Sequence, residues 1–111
     1  MRNRIAIAAL LLGIVVVPAA HAQFETASVL GTVRDTSGAV LPGVTVTLLN
    51  VATGVAITKT TDSAGAYEFF TVRPGTYRVT AELSGFGPAA AEAVKVTIGA
   101  RQRVDLVQAP G

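Results

Sequence analysis

The chain has 111 residues, half of them apolar, with 9 Lys or Arg against 7 Asp or Glu, a single histidine, and neither cysteine nor tryptophan. Without cysteine it can form no disulfide framework, and a formal charge of +2 gives no concentration of cations to neutralise a phosphate backbone. Thiol chemistry is excluded, nucleic acid is not an expected partner, and one histidine leaves little for metal ligation or proton shuttling.

That histidine lies in the opening segment. Arg2 and Arg4 are followed by an apolar stretch from Ile5 to Val17, and then by Ala20-His21-Ala22 before Gln23. A charged start, an apolar run and a small-residue site are the three parts of a secretory signal peptide. Residues 1–22 are therefore expected to direct export and to be cleaved, with a retained signal anchor as the alternative. The apolar run is shorter than the ~20 residues that span a bilayer, and Pro18 interrupts its end. Export with cleavage removes Arg2, Arg4 and His21, so the remaining chain has no histidine and a balanced charge.

Residues 23–28 read as a leader to a domain over 29–108, with 109–111 as a tail. Val29, Gly31 and Val33 share one face of a first strand. Asp35 to Gly43 is a connector with turn chemistry at both ends. Val44, Val46 and Leu48 alternate with Thr45 and Thr47, the pattern of a half-buried strand. Asn50 to Gly54 turns, and Val55 and Ile57 open a third strand reaching Thr61. Asp62 to Gly65 turns again, followed by a fourth strand from Ala66 to Thr71. Pro74-Gly75 leads into Tyr77, Val79, Ala81 and Leu83, the longest alternating run. After the break at Ser84 to Pro88, the alanine run Ala89–Ala93 reads as a loop or an irregular strand start. Val94, Val96 and Ile98 mark a sixth strand, Val104 and Leu106 a seventh. Seven short strands with turn signals between them predict an all-β fold, a seven-stranded antiparallel β-sandwich.

The turns are chemically specific. Asp35 and Gly38, like Asp62 and Gly65, have the Asp-x-x-Gly spacing in which the carboxylate caps backbone N–H groups and the glycine takes the left-handed conformation that follows. Calcium loops are the sharper alternative, but such loops need several oxygen side chains close together, and each turn offers one carboxylate with a hydroxyl.

Taken together, GTVRDTSGAVLPGVTVTLLN and TDSAGAYEFFTVRPGTYRVTAELSGF resemble the carboxypeptidase regulatory-like domain. Gly31, Val33, Asp35, Gly38, Leu41, Pro42, Gly43 and Val44 carry the first half of the resemblance. Thr61, Asp62, Gly65, Tyr67, Phe69, Pro74, Gly75, Tyr77, Gly85 and Phe86 carry the second. The resemblance implies a transthyretin-like sandwich. In metallocarboxypeptidases this module is an appendage, with the zinc ligands in a separate domain. Behind a bacterial signal peptide it resembles the N-terminal extension of TonB-dependent outer-membrane receptors. That implies a periplasmic or outer-membrane address in a Gram-negative bacterium, with envelope proteins or adjoining receptor domains as partners. Such receptors continue into a plug and a barrel, so transport belongs to those parts, and the chain reads either as a receptor fragment or as a freestanding domain.

An enzyme is not expected. Ser28, Ser37, Ser63 and Ser84 have no histidine to activate them in the exported part, and no cofactor or metal is expected. A Ser–Lys pair would have to use Lys59 or Lys95, both on strands. Arg101 and Arg103 alternate along a strand as a solvated face. Tyr67, Phe69 and Tyr77 read as core. Phe70, on the face opposite to Tyr67 and Phe69, and Phe86, in the turn SGFG, are the tentative ligand surface, because an exposed aromatic beside polar groups stacks on sugar rings. Carbohydrate binding by a freestanding envelope module is the alternative function. Edge pairing with a partner strand is a third possibility, with Lys59 and Lys95 as guards against unwanted pairing.

Overall fold

A computed structural model describes residues 26–111, which contain strands and turns and no helix. The signal-peptide segment lies outside the described residues, as does most of the leader. Eight strands follow one another: β1 (Ala27–Asp35), β2 (Thr45–Asn50), β3 (Ala56–Thr60), β4 (Ala66–Val72), β5 (Gly75–Glu82), β6 (Ala89–Val96), β7 (Arg101–Arg103) and β8 (Leu106–Gln108). One sheet runs β3-β2-β5-β6, antiparallel throughout. The other places β1 between β4 on one side and β7 and β8 on the other. The β1–β4 pairing is antiparallel, whereas β7 and β8 run parallel to β1.

The period-two reading holds where side chains of both kinds alternate. Val29, Gly31 and Val33 face inward from β1, Val46 and Leu48 from β2, and Tyr77, Val79 and Ala81 from β5. Tyr67 and Phe69 meet them from β4, their rings edge-to-face with centroids 5.8 Å apart. Each such aliphatic or aromatic side chain contributes about 1.5–3 kcal/mol by leaving water. Phe69 is the largest of the side chains fully enclosed in this core.

Besides one-residue shifts at strand ends, such as β3 running from Ala56 to Thr60 rather than from Val55 to Thr61, three features differ from the sequence reading. The leader is shorter, because Ala27 and Ser28 already pair in β1. The sixth strand is Ala89–Val96, so the alanine run is strand and Ile98 lies exposed beyond it. This strand is irregular: its register against β5 slips between Tyr77 and Val79, and Ala93 takes a positive φ of 53°. Arg78 and Glu92 meet at 2.7 Å beside the slip. Alternation marks the Val94 and Val96 end of this strand, and the alanine run, which shows none, is its irregular start. The expected seventh strand is two, split at Val104–Asp105, which raises the count to eight. Across the split, Val104 N–H donates to Leu30 O at 2.8 Å and Thr32 N–H to Asp105 Oδ1 at 2.9 Å.

The split has a cause within β1. Val104 turns its carbonyl over Gly31 and accepts the Tyr67 hydroxyl proton there. A Cβ on residue 31 would lie 1.8 Å from that oxygen. Burial, reinforced by the nearby Asp105 charge, pushes the Tyr67 hydroxyl well above the ordinary tyrosine pKa, so it stays a neutral donor.

Candidate functional site

Both Asp-x-x-Gly turns form as their spacing implies. Asp35 Oδ1 accepts from Ser37 N (2.9 Å), Ser37 Oγ (2.6 Å) and Ala39 N (3.0 Å), and Gly38 follows at φ 92°. Asp62 Oδ1 accepts from Ala64 N (2.9 Å) and Ala66 N (3.0 Å), with Gly65 at φ 71°. In each turn one carboxylate oxygen is occupied by the chain's own donors, and among the described residues no three metal-ligating side chains converge. The Ser37 hydroxyl bond, with backbone donors of the same turn, holds the Asp35 carboxyl below its ordinary pKa of 3.8. With the folded-state pKa depressed, the turn is complete above that value and weakens as pH falls through the lower, folded-state pKa. We expect the Asp35 carboxyl to titrate below pH 3.8, with exchange protection of Ala39 N–H lost over the same interval, both measured by NMR.

Pro42 and Gly43, at φ 79°, form a turn whose closing hydrogen bond is supplied by another segment. The buried Thr61 hydroxyl donates to Leu41 O at 2.7 Å and accepts from Val44 N at 2.9 Å. The family-like pattern included Thr61, but nothing local in the sequence revealed this bridge. Thr61→Val keeps the shape and leaves both backbone groups unpaired. It should cost about 2–4 kcal/mol in denaturant unfolding, while Thr61→Ser should retain most of the stability. Pro74 and Gly75 lead into β5, where Tyr77 Oη donates to Arg73 O at 2.7 Å and fixes that bend. Gln108, also unmarked in the sequence, is fully buried and donates to Gly87 O at 2.9 Å and to Ala81 O at 3.3 Å, tying β8 to the end of β5.

Phe70 and Phe86 are not brought together. The β2–β5 register runs from Thr45↔Glu82 at one end to Asn50↔Tyr77 at the other. Phe86 belongs to the first end, partly buried against the core and bridged by its backbone to Pro110 of the tail. It borders a depression of about 550 Å³ with Thr45, Glu82, Ser84 and Pro88. Phe70 is 62% exposed near the end of β4. The depression at Phe86 does not include Phe70 among its lining residues.

A second concavity lies at β3, and Phe70 is not one of its lining residues. The pairs Val46↔Lys59 and Leu48↔Ile57 place Lys59 and Ile57 on the core-facing side of their sheet. Yet Ile57 is 48% exposed and every residue of β3 is open to solvent, so β3 overhangs the core and the opposing sheet leaves it uncovered. Beneath it lies a groove of about 390 Å³, lined by Leu48, Val55, Ile57, Val72, Arg73 and Tyr77 among others. On its far side the β1–β4 register slips between Ala27 and Val29, and Thr71 takes φ 58°. Lys59 Nζ lies 5.5 Å from the Phe70 ring centre, reaching between the two sheets. Lys59 and Lys95 do occupy the two edge strands of their sheet.

The family model of the carboxypeptidase regulatory-like domain matches residues 28–108. The chain belongs to this family. Its fold recurs in solved structures of low sequence identity. A protein of Pseudomonas aeruginosa named "putative carbohydrate binding protein" superposes with TM-score 0.59 at 18% identity, over 77% of this chain and 90% of that one. A protein of Bacteroides uniformis with the same name gives 0.61 at 22% identity, over 78% and 42%. Chlorocatechol 1,2-dioxygenase from Pseudomonas putida gives 0.60 at 15% identity, over 77% of this chain and 60% of the enzyme. At these identities the likeness is one of fold. No curated protein sequence matches the chain. No helix among the described residues is long and apolar enough to cross a membrane, which says nothing of a β-barrel.

Proposed function

We propose that this regulatory-like domain is a non-enzymatic docking module of the cell envelope, acting as the N-terminal extension of a TonB-dependent outer-membrane receptor. In this role the domain is a rigid platform that positions components of the uptake machinery through protein contacts. The observation that carries the reading is the uncovered apolar strip of β3. Ile57 on the edge strand β3, and Val55 just before it, are exposed over an open groove. Apolar surface gathered at a sheet edge is a liability unless something covers it. The signal-like residues 1–22 support an envelope address.

Carbohydrate binding is the second reading. It is favoured by the depression at Phe86, where an aromatic ring, the Glu82 carboxylate and the Ser84 and Thr45 hydroxyls border one concavity. The names of the Pseudomonas and Bacteroides neighbours point the same way. The two readings separate by mutation of the full chain expressed in a Gram-negative host. Docking predicts that the double variant Val55→Ser/Ile57→Ser loses retention in the envelope fraction while Phe86→Ala keeps it. Release of the native chain by oligosaccharide, or loss of retention through Phe86→Ala alone, would overturn the docking reading.

A further inference from the structure

We propose that the open side of the sandwich receives an extended segment of a partner protein, hydrogen-bonded to the free edge of β3 and carrying carboxylates that meet Lys59 and Arg73. The inference rests on the docking reading and gives it a surface and a partner chemistry.

The edge is a usable template. Asn50 N–H donates to Val55 O at 2.8 Å, and Thr61 N–H to Val44 O at 2.9 Å. In an antiparallel ladder the bonded residues alternate, so Val55, Ile57, Lys59 and Thr61 bond toward β2. Ala56, Thr58 and Thr60 therefore turn their backbone N–H and C=O groups to the open side. β3 contains neither proline nor glycine, and its pairing with β2 is regular over all five residues. The opposite lip is no such template, because the register slip and the positive φ of Thr71 interrupt β4 there.

The groove also selects what fits. A strand added beyond β3 continues the inner row formed by Leu48 and Ile57, so alternate side chains of the incoming segment face the groove side and should be apolar. The charge at the site is of one sign. Arg73 lines the groove, Lys59 follows Ile57 on the inner face of β3, and among the described residues neither takes part in an ion pair. Among the described residues no carboxylate lines the groove. An alternating apolar segment flanked by aspartate or glutamate complements both the shape and the charge, whereas a lysine-flanked one meets like charge.

The test uses the full chain and three synthetic peptides with blocked ends: Asp-Val-Thr-Val-Thr-Val-Asp, its Lys-flanked counterpart, and the acidic peptide N-methylated on alternate amides. Binding is followed by fluorescence anisotropy and by amide exchange. The acidic peptide should bind at least ten-fold more tightly than the basic one at low salt, and slow exchange at Ala56, Thr58 and Thr60. The Lys59→Glu/Arg73→Glu variant should reverse the preference, and N-methylation should abolish binding. Equal affinity for both charges, protection absent from β3, or contacts mapping to Glu82 and Phe86 would overturn the inference. So would concentration-dependent pairing of two copies through β3. If the Val55/Ile57 variant loses envelope retention while no peptide pairs with β3, docking stands and strand addition falls. If the variant is retained like the native chain, docking falls as well.

Discussion

Gly31→Ala should be among the most damaging single-methyl changes in this domain, lowering stability by about 3 kcal/mol or more and the melting temperature by at least about 12 °C. The cause is space rather than backbone strain. Gly31 does not have a positive φ, but its missing Cβ lets the Val104 carbonyl approach β1 at the split between β7 and β8. An added methyl must displace that carbonyl. The shift breaks the Tyr67 hydroxyl bond and strains the neighbouring Val104–Leu30 bond. Gly38→Ala is the matched control. Gly38 has a positive φ of 92° with open space around its missing Cβ, so alanine there should cost about 1 kcal/mol. Calorimetry on the two variants checks the claim: near-equal losses would show that the close approach at Val104 is not what position 31 requires.

Phe69→Ala should cost about 3–5 kcal/mol, a large share of the 5–15 kcal/mol typical of whole domains. Phe69 is 1% exposed, pairs with Val29 across β1–β4, and packs edge-to-face on Tyr67. Truncation removes its burial energy and leaves a cavity where the two sheets meet. Phe70→Ala, one residue along the same strand, should cost less than about 1 kcal/mol, because that ring is mostly in water. Denaturant midpoints for the pair test the assignment of inner and outer faces in β4. Equal losses would contradict it.

Much of this fold is legible in the sequence because strand side chains alternate between core and water. Val29, Gly31 and Val33 announce a face, and so do Val46 with Leu48 and Tyr77 with Val79. The two Asp-x-x-Gly turns were equally legible, since capping by Asp35 and Asp62 is local chemistry. What escaped reading depends on contacts between distant segments. The alanines of β6 lack contrast between faces, so Val94 and Val96 mark the strand while its alanine half is settled only by its pairing with β5. The parallel pairing of β7 and β8 with β1 is a matter of topology, which alternation does not encode. Thr61 and Gln108 act on backbone groups far away in sequence, at Leu41 and Ala81.

The same limit governs the candidate site. Val55 and Ile57 carry the pattern of an ordinary half-buried strand, and only the packing reveals that β3 extends past the cover of the opposing sheet. Phe70 and Phe86 were both legible as exceptional aromatics. Phe86 borders the polar depression near Glu82, whereas Phe70 lies beside Lys59 and lines neither that depression nor the apolar groove.

The central claim is that the open side at β3 is the face through which this domain meets other proteins. The most direct measurement places a photoreactive amino acid at position 57, and separately at position 82, in the full chain within a Gram-negative envelope. The docking account predicts discrete protein adducts at position 57, competed by the acidic strand peptide, and none at position 82. Adducts confined to position 82, or equal unspecific labelling at both, would contradict it.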